Sequence, residues 1–328
     1  MENSNNGGFP DRPEIIFMGT PDFAVPSLKA LVKDGHKVVS VVTQPDRPKG
    51  RGRKLFLSPV KRVAQEYGIK ILQPEKASDD QFCDTIRSLR PDLLIVVAFG
   101  QILKNKLLMI PRWGALNIHA SLLPKYRGAA PIHWAILNNE TKTGLTAMRM
   151  DEGLDTGPFL LQEEVPIMEH ETAGSLHDRL AGLSGNFILE TLTGLAENRL
   201  KETRQDPNEA SYAPKIDRGM SSIKWEQPAS VLSCLIRALD PWPGAFTTLK
   251  GKEIKLFSSR VTDKKAHDET PGRVAGKSES ALFVETGQGV LEIRELQIPG
   301  KKRLPAGAFL RGFAMGRGTL LGLSLIHI

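Results

Sequence analysis

The sequence predicts an α/β fold in which a doubly wound, mostly parallel sheet is followed by a small β-barrel. Up to about residue 200, short apolar runs alternate with amphipathic runs of helical period, which is typical of a sheet with helices on both faces. The run at 93–98, LLIVVA, is apolar throughout, as in a strand covered on both sides. After residue 214, short strand-like runs separated by turn residues favour a small barrel.

The elements of the first part follow in chain order. Expected strands cover 15–18, 38–43, 70–72, 93–98, 115–119, 144–150 and 159–164, and expected helices cover 23–33, 59–67, 79–89, 104–109, 130–138 and 172–198. Gly182, Gly185 and Gly194 weaken the last helix and favour a break in it. The opening strand, turn and helix lack the G-x-G-x-x-G pattern, so a dinucleotide site is only weakly indicated.

The second part begins after a polar stretch at 201–214, which we interpret as a linker. One expected helix at 228–239 precedes expected strands at 246–249, 254–258, 281–285 and 290–297. We therefore expect a first domain over 14–200 and a second over 215–321. Residues 1–13 are polar and lack an apolar signal core, so we expect a disordered lead-in, and we expect the apolar residues 322–328 to be non-native.

The composition is that of an ordinary soluble protein. Of the 328 residues, 40% are hydrophobic and 25% are charged, and no apolar run is long enough to span a bilayer. The two cysteines, Cys83 and Cys234, are far apart in sequence, which excludes a disulfide framework and a metal-binding spacing. These features predict a cytoplasmic protein that binds no metal and whose cysteines are buried.

The charge distribution indicates a polyanionic partner. The net charge is +7, and most of the excess lies after residue 200. Between Arg47 and Arg62 there are seven basic residues and no acidic one: Arg47, Lys49, Arg51, Arg53, Lys54, Lys61 and Arg62. Such a stretch can neutralise phosphates, but charge runs are also common on surfaces that bind only water, and the sequence alone leaves both interpretations open.

Three side chains at the centre of the chain form a candidate catalytic set. Asn117 and His119 are two apart in an expected strand and therefore share a face. The loop at 151–157 supplies Asp155 between two glycines, and we expect it to lie with the other two at one sheet edge. An amide, an imidazole and a carboxylate can move an acyl group onto an amine. Taken singly, each residue could instead be a strand-end or turn cap.

The motifs around these residues resemble the signature of the folate-dependent formyltransferases. They are NIHASLLPKYRGAAPI at 117–132 and MDEGLDTG at 150–157. FMGTPDFAVPSL at 17–28 and TQPDRPKGRG at 43–52 are similar to those of the members that act on initiator methionyl-tRNA. The resemblance covers about residues 14–320 and implies a Rossmann-like catalytic domain and an oligonucleotide-binding-like barrel that binds tRNA.

The resemblance also implies an activity. The formyl group of the co-substrate 10-formyltetrahydrofolate would pass to the α-amino group of initiator methionyl-tRNA, by direct attack through a tetrahedral intermediate and without a metal. Asn117 would donate to the oxyanion, and His119 would donate to the same oxygen or relay a proton. Asp155 would orient His119 and accept the proton that the amine loses. The protein would act as a monomer in translation initiation.

The resemblance assigns two sets of binding residues. Ser121, Leu122, Leu123 and Pro124 would lie along the folate, and core packing of Leu122 and Leu123 stays open beside this role. The backbone N–H and C=O groups of Phe99, Gly100, Gly153 and Leu154 could bind the polar edge of its pterin ring. The tRNA would contact Arg47, Lys49, Arg51, Arg53 and Lys54, with 301–303 as a further basic candidate. Three other interpretations stay open: a folate formyltransferase acting on a purine-precursor amine or an amino sugar, a hydrolase that releases formate from formylfolate, and an RNA-binding protein with a decayed α/β domain.

Overall fold

A computed structural model describes residues 8–49, 54–263 and 270–322 of the chain. Two compact units interleave along the sequence: the first combines residues up to 131 with 143–165 and 177–212, and the second combines 132–142, 166–176 and the residues from 213 onward. The expected lead-in and tail fall outside the described residues at positions 1–7 and 323–328. The domain boundaries at 14–200, 201–214 and 215–321 stay a prediction.

The first unit is built on a seven-stranded sheet. Its strands are β1 (Ile15–Gly19), β2 (Val38–Val42), β5 (Ile71–Leu72), β6 (Leu93–Val97), β7 (Ala115–His119), β8 (Lys142–Arg149) and β9 (Phe159–Pro166). Their order is β5-β2-β1-β6-β7-β8-β9, and the first five are parallel while β8 runs antiparallel to β7. The predicted mostly parallel sheet is confirmed.

A separate hairpin lies between β2 and β5. It consists of β3 (Arg47–Lys49) and β4 (Lys54–Phe56), paired antiparallel with Arg47 opposite Phe56. These two strands were not expected from the sequence, because the hydrophobic alternation of a half-buried strand is missing from this basic stretch.

Six helices accompany the sheet strands in the sequence. They are α1 (Val25–Lys33), α2 (Pro59–Glu66), α3 (Asp80–Ser88), α4 (Asn105–Leu108), α5 (Pro131–Leu137) and α6 (Ala173–Ala196). The N-termini of α2 and α3 are capped by Ser58 and Asp79, whose side chains accept from backbone N–H groups of the first turn. Among the helices that the structure describes, none is both long enough and apolar enough to cross a membrane.

Both faces of the parallel strands are covered. On one face, Ile16 and Met18 of β1 pack in a buried cluster with Phe82 and Ile86 of α3 and Leu107 of α4. Alternate β1 residues point to the other face and are equally buried. The parallel strands are therefore buried on both faces, which explains why their sequences are continuous apolar runs.

The long helix α6 is unbroken, so the expected break was wrong. One of its glycines allows close packing: a Cβ at Gly185 would lie 3.2 Å from the Ala30 Cβ and from the Pro26 carbonyl oxygen of α1. A hydrogen bond of 2.8 Å between the hydroxyls of Ser27 and Ser184 joins the same two helices. Tertiary packing thus compensates for the low helix propensity of glycine.

The second unit contains a six-stranded antiparallel sheet that curls into a half-barrel, which confirms the predicted small β domain. Its strands are β10 (Phe246–Leu249), β11 (Lys252–Thr262), β12 (Val274–Lys277), β13 (Leu282–Glu285), β14 (Val290–Gln297) and β15 (Leu304–Pro305), with helices α7 (Ala229–Ala238) and α8 (Ala306–Gly312). The order is β10-β11-β14-β13-β12, with β15 paired to β14. β11 is longer than expected, and β12, β15 and α8 were not predicted.

Two glycines of the first unit provide a test of the packing. A Cβ at Gly144 in β8 would lie 2.1 Å from the Glu163 carbonyl oxygen, whereas a Cβ at Gly182, exposed on α6, would meet nothing within 4 Å. We expect Gly144→Ala to lower stability by about 1–3 kcal/mol because the backbones must separate. Gly182→Ala should raise it by up to about 1 kcal/mol, since alanine favours the helix.

Thermal unfolding midpoints of the two variants and the unaltered protein check this prediction. A Gly144→Ala protein that melts at or above the unaltered one would contradict the close approach of β8 to the Glu163 carbonyl.

Candidate active site

The three candidate catalytic side chains converge in the first unit. The Asn117 amide Nδ2 donates to Asp155 Oδ1 over 3.4 Å, and His119 Nδ1 lies 3.7 Å from Asp155 Oδ2. Asn117 and His119 occupy alternate positions of β7 and present their side chains on one face, as the spacing predicted. Two separate segments of chain therefore place an amide, an imidazole and a carboxylate together.

The loop that carries Asp155 reaches this site by an unexpected route. Because β8 runs antiparallel to β7, its last residue, Arg149, lies opposite Leu116, and the next residue bonds to the Ala115 carbonyl over 2.9 Å. The loop thus leaves the sheet beside the start of β7, and the expectation that it follows a strand end at the same edge as His119 was wrong. It then folds back along β7 to bring Asp155 to Asn117 and His119.

Several contacts hold the Asp155 carboxylate in place. The Gly128 N–H donates to Asp155 Oδ2 over 2.8 Å, and only 13% of the Asp155 side chain is exposed. The turn-capping role that was open for Asp155 is performed by Asp151, whose Oδ1 accepts from the Gly153 N–H and the Thr156 hydroxyl. The carboxylate of Asp155 is left to face the two β7 side chains.

The imidazole of His119 lies between two oxygen atoms. Its Nε2 is 3.0 Å from the Tyr126 carbonyl oxygen, and a carbonyl can only accept, so the hydrogen of this bond belongs to Nε2. Nδ1 faces Asp155 at a separation longer than a hydrogen bond, where the interaction is electrostatic. The ring is 7% exposed. Tyr126 therefore orients the ring, and a proton on Nδ1 would lie between the ring and the carboxylate.

The segment after β7 bonds its polar groups within the protein. The Thr146 hydroxyl donates to the Ser121 carbonyl over 2.6 Å and accepts from the Leu123 N–H. The Gln162 amide donates to the Leu123 carbonyl over 2.8 Å. Ser121 and Leu123 are buried, and Leu122 and Pro124 are partly exposed. Only the last two can offer their side chains to a ligand.

The other candidate folate residues also include both buried and exposed positions. Phe99 is buried, and its carbonyl accepts from the Thr20 hydroxyl over 2.9 Å and the Gln44 amide over 3.2 Å. Gly100, Gly153 and Leu154 are exposed, and the Gly153 N–H is already bonded to the Asp151 carboxylate. Leu154 therefore presents an uncovered apolar side chain beside the turn that Asp151 closes.

Of the basic residues in and after the hairpin, Arg47 is exposed to solvent and Lys61 is used in an ion pair at the hairpin base, which we define as Asp46, Lys61 and Gln73. Arg47 is exposed at the start of β3, whereas Arg51, Arg53 and the side chains of Lys49 and Lys54 lie outside the described residues. Lys61 pairs with Asp46 and donates to the Gln73 side chain over 2.7 Å. The hydrogen bond from Lys61 lowers the pKa of the Asp46 carboxyl. Lys61 is thus a structural cation.

The second basic candidate is also partly structural. In the second unit, the Arg303 guanidinium stacks 4.1 Å above the Phe257 ring and pairs with Asp240 and Glu295. Burial alone would raise the pKa of Glu295, but hydrogen bonds from Ser258 and Arg303 outweigh it and hold the pKa below its usual range. Lys301 and Lys302 are exposed. Of the three basic residues, these two are the ones available to phosphate.

Both cysteines are buried and unpaired, as predicted, and burial raises the pKa of the Cys83 thiol. Over residues 8–49, 54–263 and 270–322, no three His, Cys, Asp or Glu side chains are grouped as a metal site.

The contribution of the expected linker to the site was not foreseen from the sequence. Within 203–212, Ser211 accepts from the Arg127 N–H through its carbonyl over 2.8 Å, and its hydroxyl accepts from the Tyr126 N–H over 2.9 Å. Gln205 bonds to both the Arg127 side chain and the Asp155 loop. Linkers and extended segments that hydrogen-bond to loops are both rich in polar residues. The sequence therefore contains no signal that tells one kind of segment from the other.

Comparison with known proteins identifies the family. The profile described as formyl transferase matches residues 13–192, and the profile of the formyl transferase C-terminal domain matches residues 215–314. The chain belongs to the formyl transferase family. The prediction of a formyl-transferring enzyme with these two domains is confirmed.

Individual relatives agree with the family assignment. The methionyl-tRNA formyltransferase of Pelobacter propionicus is 49% identical over 308 residues, covering 94% of this chain and 96% of the relative. That of Geobacter metallireducens is 49% identical, with coverages of 94% and 98%. Among solved structures, HypX from Aquifex aeolicus in complex with tetrahydrofolic acid has a TM-score of 0.62 at 21% identity, over 91% of this chain and 47% of HypX. That likeness concerns the fold alone.

The hairpin base can be tested without an activity assay. Lys61→Met leaves the Asp46 carboxylate without its cation, and in the unaltered pair the two side chains are only 15% and 19% exposed. We expect the contacts of Asp46 at the hairpin base to weaken and trypsin to cleave faster within 47–54. The cleavage rate is measured by mass spectrometry over time.

Lys106→Met is the matched control, because its partner Asp80 is 92% exposed and such surface pairs contribute little. Equal cleavage rates in the unaltered protein and both variants would show that the Lys61 pair does not hold the hairpin.

Proposed function

We propose that this formyl transferase moves the formyl group of 10-formyltetrahydrofolate onto the α-amino group of initiator methionyl-tRNA. The observation that carries the proposal is the convergence of Asn117, His119 and Asp155. The activity for which the relatives are named supports the acceptor, and the tetrahydrofolic acid bound to HypX supports the donor.

Asn117 would stabilise the charge that develops on the formyl oxygen. Its amide is partly exposed on β7 and presents a hydrogen-bond donor beside the carboxylate of Asp155. When the amine attacks the formyl carbon, the carbonyl oxygen gains negative charge in a tetrahedral intermediate. A preorganised donor at that position lowers the barrier because it needs no reorientation during the reaction.

Asp155 and His119 would manage the proton that the attacking amine must lose. Asp155 accepts it and returns it to the leaving nitrogen as the new amide bond forms and the old one breaks. Two roles were open for His119, and the orientation of the ring favours the proton relay. Its Nε2 is bonded to the Tyr126 carbonyl, so the nitrogen near the reacting groups is Nδ1, beside Asp155. The 3.7 Å between Nδ1 and the Asp155 carboxylate is longer than a hydrogen bond, but catalytic contacts that are long in a ligand-free site commonly shorten when substrate binds.

The exposed residues around the site fit a flat, partly apolar ligand. Leu154 is 56% exposed, and Leu122 and Pro124 are partly exposed. Side chains of this kind make the apolar walls of ligand pockets. The bound folate supplies the formyl group. Phe99, Ser121 and Leu123, being buried, would shape the pocket from behind.

Phosphate contacts would come from the hairpin and the second unit. We assign them to Arg47, Lys49, Arg51, Arg53 and Lys54, and secondarily to Lys301 and Lys302. Lys61 and Arg303 are omitted because both are engaged in ion pairs.

One assay separates this proposal from the alternatives. The protein is incubated with 10-formyltetrahydrofolate alone, with charged initiator tRNA, or with an amino sugar nucleotide, and formyl transfer and formate release are both measured. We expect transfer only with the charged tRNA. Formate release without any acceptor would indicate a hydrolase, and transfer to the amino sugar would indicate the other branch of the family.

Substitution of the three central residues tests the assigned roles. Asn117→Ala should lower kcat by about 10²–10³, the usual loss when one oxyanion donor is removed. His119→Ala and Asp155→Ala should each remove most activity, because the proton then lacks its acceptor or relay. Steady-state kinetics with both substrates, together with circular dichroism, provide the measurement.

The control is Asp178→Ala, which breaks a second His–Asp pair, at 2.9 Å from His177 on the exposed side of α6. Its kcat should be unchanged. Near-normal turnover in any one of the three central variants would remove that residue from the mechanism.

Charge removal in the hairpin tests the tRNA interaction. Replacing Arg47, Lys49, Arg51, Arg53 and Lys54 with glutamine should weaken tRNA binding and reduce the salt slope by about one for each phosphate that is no longer neutralised. Binding is measured at several salt concentrations. A control variant replaces five exposed basic residues elsewhere in the first unit: Lys33, Lys76, Arg90, Lys104 and Lys201. If both variants shift the slope equally, the hairpin makes no specific contact with the tRNA.

A further inference from the structure

The segment at 203–212 is paired with the active-site loops at both of its ends. At one end, Thr203 and Phe159 exchange two backbone hydrogen bonds of 2.8 and 3.0 Å, just after the Asp155 loop. At the other end, Ser211 accepts from the N–H of Arg127, the residue before Gly128. The segment is therefore hydrogen-bonded next to the Asp155 loop at one end and next to that loop's partner Gly128 at the other, and it does more than connect domains.

Within this segment, one side chain turns inward. Residues 201–209 are exposed except for Gln205. Its amide Nε2 donates to the Asp155 carbonyl over 2.8 Å and to the Gly157 carbonyl over 2.7 Å. Its Oε1 accepts from Arg127 Nε and Nη2 over 3.0 and 2.8 Å. A single carboxamide thus uses both donors and its acceptor to join the Asp155 loop to the loop after β7.

These bonds form a connected network that includes the Asp155 carboxylate. Gln205 holds the backbone carbonyl of Asp155, and Gly128 holds its carboxylate from the other side. Arg127, directly before Gly128, is itself held by Gln205. The carbonyl and the carboxylate of Asp155 are therefore fixed relative to each other through one glutamine.

The backbone of Asp155 needs such support. Its φ is 55°, in the left-handed region, which costs energy for any residue other than glycine, although aspartate and asparagine adopt it more readily than most. Residues held in this region persist when the surrounding structure overdetermines them, and they are concentrated at functional sites. Without the two bonds from Gln205, the loop could relax and turn the carboxylate away from Asn117 and His119.

We propose that Gln205 is a positioning residue of the formyl-transfer site, an inference that rests on the function proposed above. Among the described residues, its side chain bonds only to Arg127 and to the backbone carbonyls of Asp155 and Gly157, so it does not contact the reacting side chains themselves. It acts through the Asp155 backbone and through Arg127. Its loss therefore lowers kcat and leaves the KM values for both substrates nearly unchanged.

Two variants separate the donor from the acceptor function. Gln205→Ala removes both, whereas Gln205→Glu keeps the oxygen atoms that accept from Arg127 but removes the donors to the two carbonyls. We expect both variants to lose about 10² in kcat, since displacements of about 1 Å cost that much, with KM values within about threefold. Gln297→Ala is the control, because this residue donates a comparable bond, 2.7 Å, to the Lys301 carbonyl in the second unit.

A second measurement excludes a general loss of structure. Thermal unfolding midpoints should agree within about 2 °C among the unaltered protein, Gln205→Glu and Gln297→Ala. The kcat of a double variant, Gln205→Ala with Arg127→Met, should fall by less than the product of the two single-variant factors. Both residues act on Asp155 through the same hydrogen-bond network, so their effects overlap.

The outcomes distinguish this inference from the proposed function. If the unaltered protein fails to formylate charged initiator tRNA, the proposed function fails. If the unaltered protein is active and Gln205→Glu retains its kcat, or loses it only in proportion to a lower folded fraction, the positioning role is overturned. A lowered kcat at an unchanged unfolding midpoint supports it.

Discussion

The candidate site depends on one carboxylate being held against β7 although its loop departs from the neighbouring strand β8. Asp155 is contributed by a segment that leaves β8 beside the start of β7 and returns toward the strand's end. A short loop does this only if its backbone is fixed at several points, and here those points are Asp151 within the turn, Gly128 on the carboxylate and Gln205 on the carbonyl. The cost of a left-handed residue is offset by these bonds.

The surrounding structure supplies rigidity to both partners in this contact. β7 is hydrogen-bonded to β6 on one side and to β8 on the other, so Asn117 and His119 lie on a strand that cannot shift alone. The Tyr126 carbonyl then sets the direction of the His119 ring. Sites built on strands and braced loops hold their geometry better than sites on free loops, which suits a reaction that relies on placement of an amide and a proton acceptor.

Much of the first unit could be predicted from the sequence, because local pattern and global structure agree there. The strand at 93–97 is apolar on both faces and buried on both, and the alternate placement of Asn117 and His119 follows from strand geometry. Other features of this unit could not be predicted from the sequence. The hairpin of β3 and β4 has charged residues where alternation would be read, and α6 stays intact because Gly185 allows close contact with α1. Neither fact is local in sequence.

The direction of β8 and the part played by Gln205 are not encoded in any short pattern either. An antiparallel and a parallel partner for β7 read alike as an apolar run, and a glutamine in a polar stretch looks the same whether it faces water or two carbonyls. The structure distinguishes them only through partners far away in sequence, 50 residues in the case of Gln205 and Asp155.

The central claim is that Asn117, His119 and Asp155 surround one reacting formyl group. A crystal structure with 5-formyltetrahydrofolate, a stable relative of the proposed donor, tests it most directly. The account predicts that the formyl oxygen lies within hydrogen-bond distance of the Asn117 amide and that the Asp155 carboxylate faces the neighbouring nitrogen. A formyl group bound out of reach of both the Asn117 amide and the Asp155 carboxylate would contradict it.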